Sequence, residues 1–96
     1  MFDIRKADDG SIILAGRFDA SQVATAQALF DTVAGSATVD FTALEYISSA
    51  GLGVLLGAHK RLSETGGKLK LRGMKKLVRD VFRYSRLDTI FEIVDT

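Results

Sequence analysis

Four short stretches of the chain are apolar or alternate apolar with polar residues, a pattern that predicts β-strands. They lie at 2–6, 11–16, 37–41 and 68–73, and the segment 89–95 is expected to add a short last strand. The turn-forming sequence ADDG separates the first two stretches, which therefore predict a hairpin. The five residues TALEY that follow the third stretch are expected to form a short connection.

Three other segments repeat apolar residues at intervals of three and four, which predicts amphipathic helices. The first is expected to be capped by Asp19 or Ser21 and to end at Gly35. The second is expected to begin near Ser49 and to stop at a pair of glycines. The residues expected to face the core are Val23, Ala26, Phe30 and Val33 in the first helix, Leu52, Leu55, Leu56, His59 (at the core edge) and Leu62 in the second, and Leu77, Val78, Val81 and Phe82 in the third, which spans 74–85.

The predicted order of elements is β-β-α-β-α-β-α-(β). A hairpin followed by alternating helices and strands implies a mixed sheet whose parallel part is built by helical crossovers. We therefore expect a small α/β sandwich with a four- to five-stranded mixed sheet and three to four helices. A chain of 96 residues is the size of one domain, so a single domain over 1–96 is expected.

Composition narrows the classes of function. The chain has no cysteine, which excludes disulfides and thiolate metal sites and fits a reducing cytoplasm. The N-terminus lacks the pattern of a signal peptide, and the longest apolar run, at 50–58, is far shorter than the ~20 residues of a membrane span. We therefore expect a cytoplasmic protein with no membrane partner and no metal or other cofactor.

Positive charge is concentrated near the C-terminus. Residues 68–86 contain eight Lys and Arg residues against Asp80 alone. This stretch is either a solvated face or a docking surface for an acidic partner, nucleic acid or anionic lipid. Nucleic acid is the weaker alternative, because the stretch lacks spaced aromatics and the pI is only 8.1.

The sequence YISSAGLGVLLG at 46–57 contains two serines and three glycines, which is unusual for the start of an apolar helix. It lacks the lysine of a phosphate-binding loop, and Leu56 stands where a dinucleotide fingerprint requires its third glycine. A nucleophile elbow centred on Ser49 fails at Ile47. The single histidine, His59, lies ten residues further along the helix, about 15 Å from Ser49 along the axis. Catalysis by a serine nucleophile is therefore not expected.

Capping and packing account for part of this composition. Ser48 or Ser49 can cap the helix. Gly53 and Gly57 fall on one helix face and are expected to allow close approach of the sheet or of a partner, while Gly51 is expected to keep the space beside Ser49 open. A second, exposed hydroxyl remains unexplained, and a helix N-terminus favours an added anion such as phosphate.

The segment VDFTALEYISSAGLGVLLGAHKRLSETGGKLKLRG resembles the STAS domain of bacterial anti-sigma factor antagonists, as do LAGRFDA at 14–20 and the closing helix and strand. In that family a serine in the motif D-S-[ST]-G-L is phosphorylated. The resemblance implies that this serine is Ser49, that Ser48 replaces the motif's aspartate, and that Asp19 is the acidic residue beside the phosphorylated loop. Arg17 stands where the family has glutamate.

The resemblance also implies a function without catalysis. Unphosphorylated, the chain would bind a serine-kinase anti-sigma factor and free the sigma factor; phosphorylation of Ser49 by that kinase would abolish binding, and a phosphatase would reverse it. The partner-binding residues implied are Asp19, Ser48, Ser49, Gly51, Leu52 and Gly53. The alternative is a constitutive STAS subunit of a lipid-transport ATPase or of another signalling complex.

Overall fold

The computed structural model describes residues 1–94, which form a five-stranded sheet in chain order. The first two strands pair antiparallel, and every later neighbour is parallel. The strands are β1 Phe2–Lys6, β2 Ile12–Phe18, β3 Ala37–Ile47, β4 Leu69–Arg72 and β5 Glu92–Val94. The helices are α1 Val23–Phe30, α2 Ser49–Ser63 and α3 Lys76–Tyr84, with 3-10 turns at Ala20–Gln22 and Leu87–Thr89. The predicted mixed sheet and order of elements are confirmed.

One face of the sheet packs against the helices, and the other carries mostly polar side chains. On β4, for example, Leu69 and Leu71 are fully buried, whereas Lys70 and Arg72 between and after them are half-exposed. This alternation follows from the two-residue period of a strand. A single apolar cluster joins the inward residues of the sheet to all three helices. The fold therefore has two layers and an open sheet face.

The connection predicted at TALEY is wrong, because these residues continue β3 to Ile47. The pairing of β2 with β3 shifts register twice, so that β3 gains two residues relative to its neighbour. Each shift is a β-bulge, which inserts one residue and breaks the alternation of faces. The buried positions Val39, Phe41, Leu44 and Ile47 are consequently spaced by two, three and three residues. No simple strand pattern is visible in such a sequence.

Two helix predictions need correction. Leu77 was expected in the core but is 66% exposed, whereas Val78 and Phe82 are fully buried. At 100° per residue, Leu77 lies well away from the direction shared by these two. The first helix ends at Phe30, before Val33, although Val33 is still buried in the core and Gly35 adopts the predicted positive φ of 72°.

A charged side chain holds α1 against α2. The guanidinium of Arg61 donates hydrogen bonds to the carbonyl oxygens of Phe30 (2.8 Å) and Val33 (2.7 Å). Carbonyls at the end of a helix have no partner within the helix, and a cation there also interacts favourably with the helix dipole. Arg61 therefore fixes the end of α1 and the connection to β3.

Replacing Arg61 by methionine keeps most of the side-chain stem and removes both hydrogen bonds. Because hydrogen bonds from a charged donor contribute about 1.5–3 kcal/mol, we expect the free energy of unfolding to fall by about that amount. Urea denaturation measures the change. An Arg61→Met variant as stable as the parent would contradict this role.

Candidate functional site

The carboxyl ends of β2 and β3 meet at one edge of the sheet. The backbone N–H of Ser48 donates to the carbonyl oxygen of Phe18 at 2.9 Å, one residue beyond the last strand pair, Phe18 with Ile47. Asp19 and Ser48 therefore follow adjacent strands at the same level. Helix α2 also contacts the 3-10 turn that follows Asp19. The structure thus brings Asp19 close to Ser48, although about thirty positions separate the two residues in the sequence.

The two neighbouring serines have different environments. Ser48 is the N-cap of α2: its backbone is extended, and its Oγ accepts a hydrogen bond from the N–H of Gly51 at 3.2 Å. Ser49 is the first helical residue and is exposed, and its hydroxyl makes no hydrogen bond to any described residue. The choice between the two serines as cap is therefore settled in favour of Ser48, and Ser49 is left accessible.

Asp19 presents an ordered negative charge beside this helix start. Its Oδ1 accepts hydrogen bonds from the hydroxyl of Ser21 at 2.6 Å and from the Ser21 N–H at 3.0 Å. These bonds, the hydroxyl one foremost, hold the pKa of Asp19 below its ordinary value, with a smaller contribution from the positive charge of Arg17. Asp19 is therefore ionised near neutral pH and caps the 3-10 turn, not α1 itself.

Gly51 and Leu52 lie beneath the surface. A Cβ on Gly51 would be 2.9 Å from Cγ1 of Ile47 and 3.1 Å from Cγ of Phe18. The missing side chain thus lets α2 lie close to the ends of β2 and β3, and the expectation that it clears space beside Ser49 is wrong. Leu52 is only 8% exposed and belongs to the core. Both residues position the helix start from below, and their part in partner binding stays a prediction.

The remaining glycines of α2 face outward. Gly53 and Gly57 are exposed, and a Cβ on either would meet nothing within 4 Å. Close packing against the sheet is therefore not their role. With Ser49 they repeat every four residues and line one helix face for about 12 Å. We call the exposed row Ser49, Gly53 and Gly57 the glycine row; it offers a partner direct access to helix backbone.

An arginine–tyrosine contact lies beside the site. Arg17 and Tyr46 are register partners near the ends of β2 and β3, and the Arg17 guanidinium carbon lies 4.3 Å from the centroid of the Tyr46 ring. This is the geometry of a cation–π interaction. Tyr46 received no role from sequence because its strand was not predicted. Once the register is known, Arg17 and Tyr46 are neighbouring outward-facing residues, and a contact between their side chains is expected.

His59 and the basic stretch lie apart from Ser49. The His59 ring packs against Phe91, with 5.1 Å between centroids, which confirms a place at the core edge. Asp80 pairs with two cations of α3, Lys76 at 3.0 Å and Arg83 at 3.2 Å. Over residues 1–94 no cluster of three or more His, Cys, Asp or Glu side chains could hold a metal ion. None of the helices in this range is long and apolar enough to cross a bilayer.

The family model described as "Mlab, STAS domain" matches residues 2–95. The chain belongs to the STAS domain family. It is 32% identical over 93 residues to the anti-sigma-B factor antagonist of Listeria monocytogenes, covering 93% of this chain and 82% of that protein. It is 41% identical over 58 residues to BtrV of Bordetella bronchiseptica, covering 60% of this chain but only half of BtrV.

Solved structures agree on the fold. The STAS domain superposes on the anti-sigma factor antagonist SpoIIAA in its unphosphorylated form with a TM-score of 0.72 at 20% identity, covering all of this chain and 89% of that one. The phosphorylated form of Bacillus SpoIIAA gives 0.73 at 21% identity, covering all of this chain and 91% of that one. The two forms match this fold equally well.

The different environments of the two serines predict different costs of substitution. Ser48→Ala removes the cap of α2 and should lower the free energy of unfolding by about 1 kcal/mol. Ser49→Ala removes an exposed hydroxyl that bonds to no described residue, and it should change the free energy of unfolding by less than about 0.5 kcal/mol. Urea denaturation of both variants tests the assignment, and equal losses would contradict it.

The environments of Gly51 and Gly53 predict that alanine substitution changes the free energy of unfolding in opposite directions at the two positions. Gly51→Ala forces a methyl group against Ile47 and Phe18 and should cost about 1–3 kcal/mol, as overpacking does in well-packed cores. Gly53→Ala meets open space and should stabilise the fold by about 0.5–1 kcal/mol, because alanine favours helix. Thermal or urea unfolding measures both. A destabilising Gly53→Ala would mean that this glycine is held by a contact within the chain.

Proposed function

We propose that this STAS domain is an anti-sigma factor antagonist controlled by phosphorylation of Ser49. The observation that carries the proposal is the exposed hydroxyl of Ser49 at the start of α2, which bonds to no described residue, while a separate residue, Ser48, caps the helix. The Listeria relative, named as an anti-sigma-B factor antagonist, supports the same class of function.

The local geometry accommodates a phosphate on Ser49. The group would sit at the N-terminal end of α2, where the free N–H groups and the helix dipole favour negative charge. Ser48 retains the cap, so modification of its neighbour removes no hydrogen bond of the fold. The equal match to phosphorylated and unphosphorylated SpoIIAA supports a fold that carries either state.

A partner seated on Ser49 would be displaced by the same phosphate. The group carries about −1.5 to −2 charges at neutral pH. Burying it without compensation costs several kcal/mol, and a loss of about 3 kcal/mol weakens binding more than a hundredfold. The ionised Asp19 next to the helix start adds to the negative charge. Phosphorylation would thus control association and leave the fold unchanged.

The partner in this proposal is an anti-sigma factor that is also a serine kinase. It binds the unphosphorylated chain over Asp19, Ser48, Ser49 and Gly53 and releases its sigma factor. Contact along the glycine row would let a partner segment reach the backbone of α2 at Gly53 and Gly57, where the helix has no side chain. The kinase ends the interaction by phosphorylating Ser49, and a phosphatase restores binding. The chain itself performs no catalysis in this scheme.

A second candidate is a constitutive subunit of a lipid-transport ATPase or another complex. The exposed glycine row also suits this role, because a Cβ on Gly53 or Gly57 would meet nothing within 4 Å and a docked subunit could lie directly on the helix. In that role the same helix face would dock permanently. Binding would then be insensitive to the chemical state of Ser49.

Phosphopeptide mapping tests the proposal. The purified chain is incubated with ATP and a lysate of the organism that encodes it, and modified peptides are located by mass spectrometry. We expect phosphate on Ser49, since its hydroxyl is exposed, and none in the Ser49→Ala variant. A Ser48→Ala variant is the matched control, and it should still be phosphorylated.

Two results would count against phosphorylation control. One is an unmodified Ser49 in a lysate that phosphorylates other proteins. The other is phosphate on a residue remote from α2. Co-purification with a transport ATPase, unchanged by Ser49→Asp, would favour the constitutive subunit instead.

A further inference from the structure

A polar cavity lies at the opposite end of β3 from Ser49. Its volume is about 320 Å³, and it opens where the hairpin turn, the start of β3 and the outward face of β4 come together. No aromatic side chain and no large apolar side chain lines it. The lining residues are Asp9, Gly10, Ser11, Ser36, Ala37, Thr38, Lys68, Lys70 and Arg72.

The lining is positive. Among the described residues that line it, Lys68, Lys70 and Arg72 are cations and Asp9 is the single carboxylate. Lys70 and Arg72 are two residues apart on β4 and so project from the same, open face of the sheet. Thr38 is the register partner of Lys70 on the neighbouring strand. Two cations and a hydroxyl are thus held side by side on rigid elements.

The acidic neighbours leave donors on these cations available. Glu92 lies 2.8 Å from the Nζ of Lys68 but 3.6 Å from that of Lys70, beyond hydrogen-bond distance. Asp40 pairs with Arg72 through one long contact of 3.4 Å. Because a guanidinium has five N–H donors and an ammonium has three, the described residues of the chain use only a minority of these donors.

The carboxylate of Asp9 is directed to its own turn. Its Oδ1 accepts hydrogen bonds from the Ser11 hydroxyl at 2.6 Å and from the Ser11 N–H at 2.9 Å. Across the cavity, the Oγ of Ser36 accepts from the N–H of Lys68 at 3.1 Å, which ties the loop before β3 to β4. Hydrogen bonds within the chain therefore hold both walls of the cavity.

We propose that this cavity binds a compact phosphate-bearing anion. Lys70 and Arg72 contact the phosphate oxygens, and the hydroxyls of Ser36 and Thr38 donate to remaining oxygens. Charge-assisted hydrogen bonds from a planar guanidinium suit phosphate geometry. The polar walls without an aromatic surface fit a small polyol phosphate or pyrophosphate better than a nucleobase, which needs a surface on which to stack. This site is independent of Ser49 and of the partner proposed for it.

An NMR titration of the ¹⁵N-labelled chain tests the site. Pyrophosphate and glycerol phosphate are added separately at constant ionic strength. We expect saturable shifts of the amide signals of 36–38 and 68–72. Lys70→Gln, which breaks only the 3.6 Å ion pair, should raise the dissociation constant about tenfold, the loss expected for one charge-assisted contact.

Lys76→Gln is the control, since it makes the same change of charge on α3 outside the cavity. It should leave the dissociation constant unchanged, and thermal unfolding of both variants verifies that each is folded. Non-saturable shifts, shifts centred on α2, or equal weakening by both variants would overturn the proposal. The proposal would also be overturned if the chain sedimented with phosphatidylglycerol vesicles in a Lys70-dependent way while neither soluble phosphate bound. The ligand would then be the headgroup of a membrane lipid.

Discussion

The pairing of β2 with β3 up to their carboxyl ends is the constraint on which the site depends. The final hydrogen bond, from Ser48 to Phe18, brings the turn after β2 next to the start of α2. Gly51 then allows the helix to lie directly on Phe18 and Ile47. If either contact were lost, the exposed hydroxyl would no longer have a fixed position relative to Asp19. This one junction thus positions both the apolar residues beneath the start of α2 and the polar residues on the surface above it.

At this junction between β3 and α2, neighbouring residues make different contributions to the structure. Ser48 satisfies the helix backbone, and Gly51 and Leu52 complete the packing underneath. Ser49 is exposed and its hydroxyl bonds to no described residue, so we expect it to contribute little to the stability of the fold. The exposed glycines Gly53 and Gly57 each destabilise an α-helix by up to about 1 kcal/mol relative to alanine, although a Cβ at either position would meet no described atom within 4 Å. Such a cost is consistent with a surface selected for access by another molecule.

Much of this arrangement could be predicted from local patterns. β1 and the alternating β4 follow from a period of two, and the apolar stripe of α2 follows from a period near four. The extension of β3 could not be predicted, because two bulges displace its buried residues from strict alternation. The exposure of Leu77 and the separate roles of Gly51 and Gly53 depend on where each helix face points. That direction is fixed by packing between elements distant in sequence. The periodicity of apolar residues within one segment carries no information about this packing.

Control of partner binding by phosphorylation of Ser49 is tested by comparing the chain in its two chemical states. The chain is prepared with and without phosphate on Ser49, and the dissociation constant of each form is measured by calorimetry against the kinase isolated through its activity on Ser49. If phosphorylation controls association, the phosphorylated form should bind at least about a hundredfold more weakly, with an unchanged thermal unfolding midpoint. Equal affinities of the two forms, or a phosphorylated form that is unfolded, would contradict it.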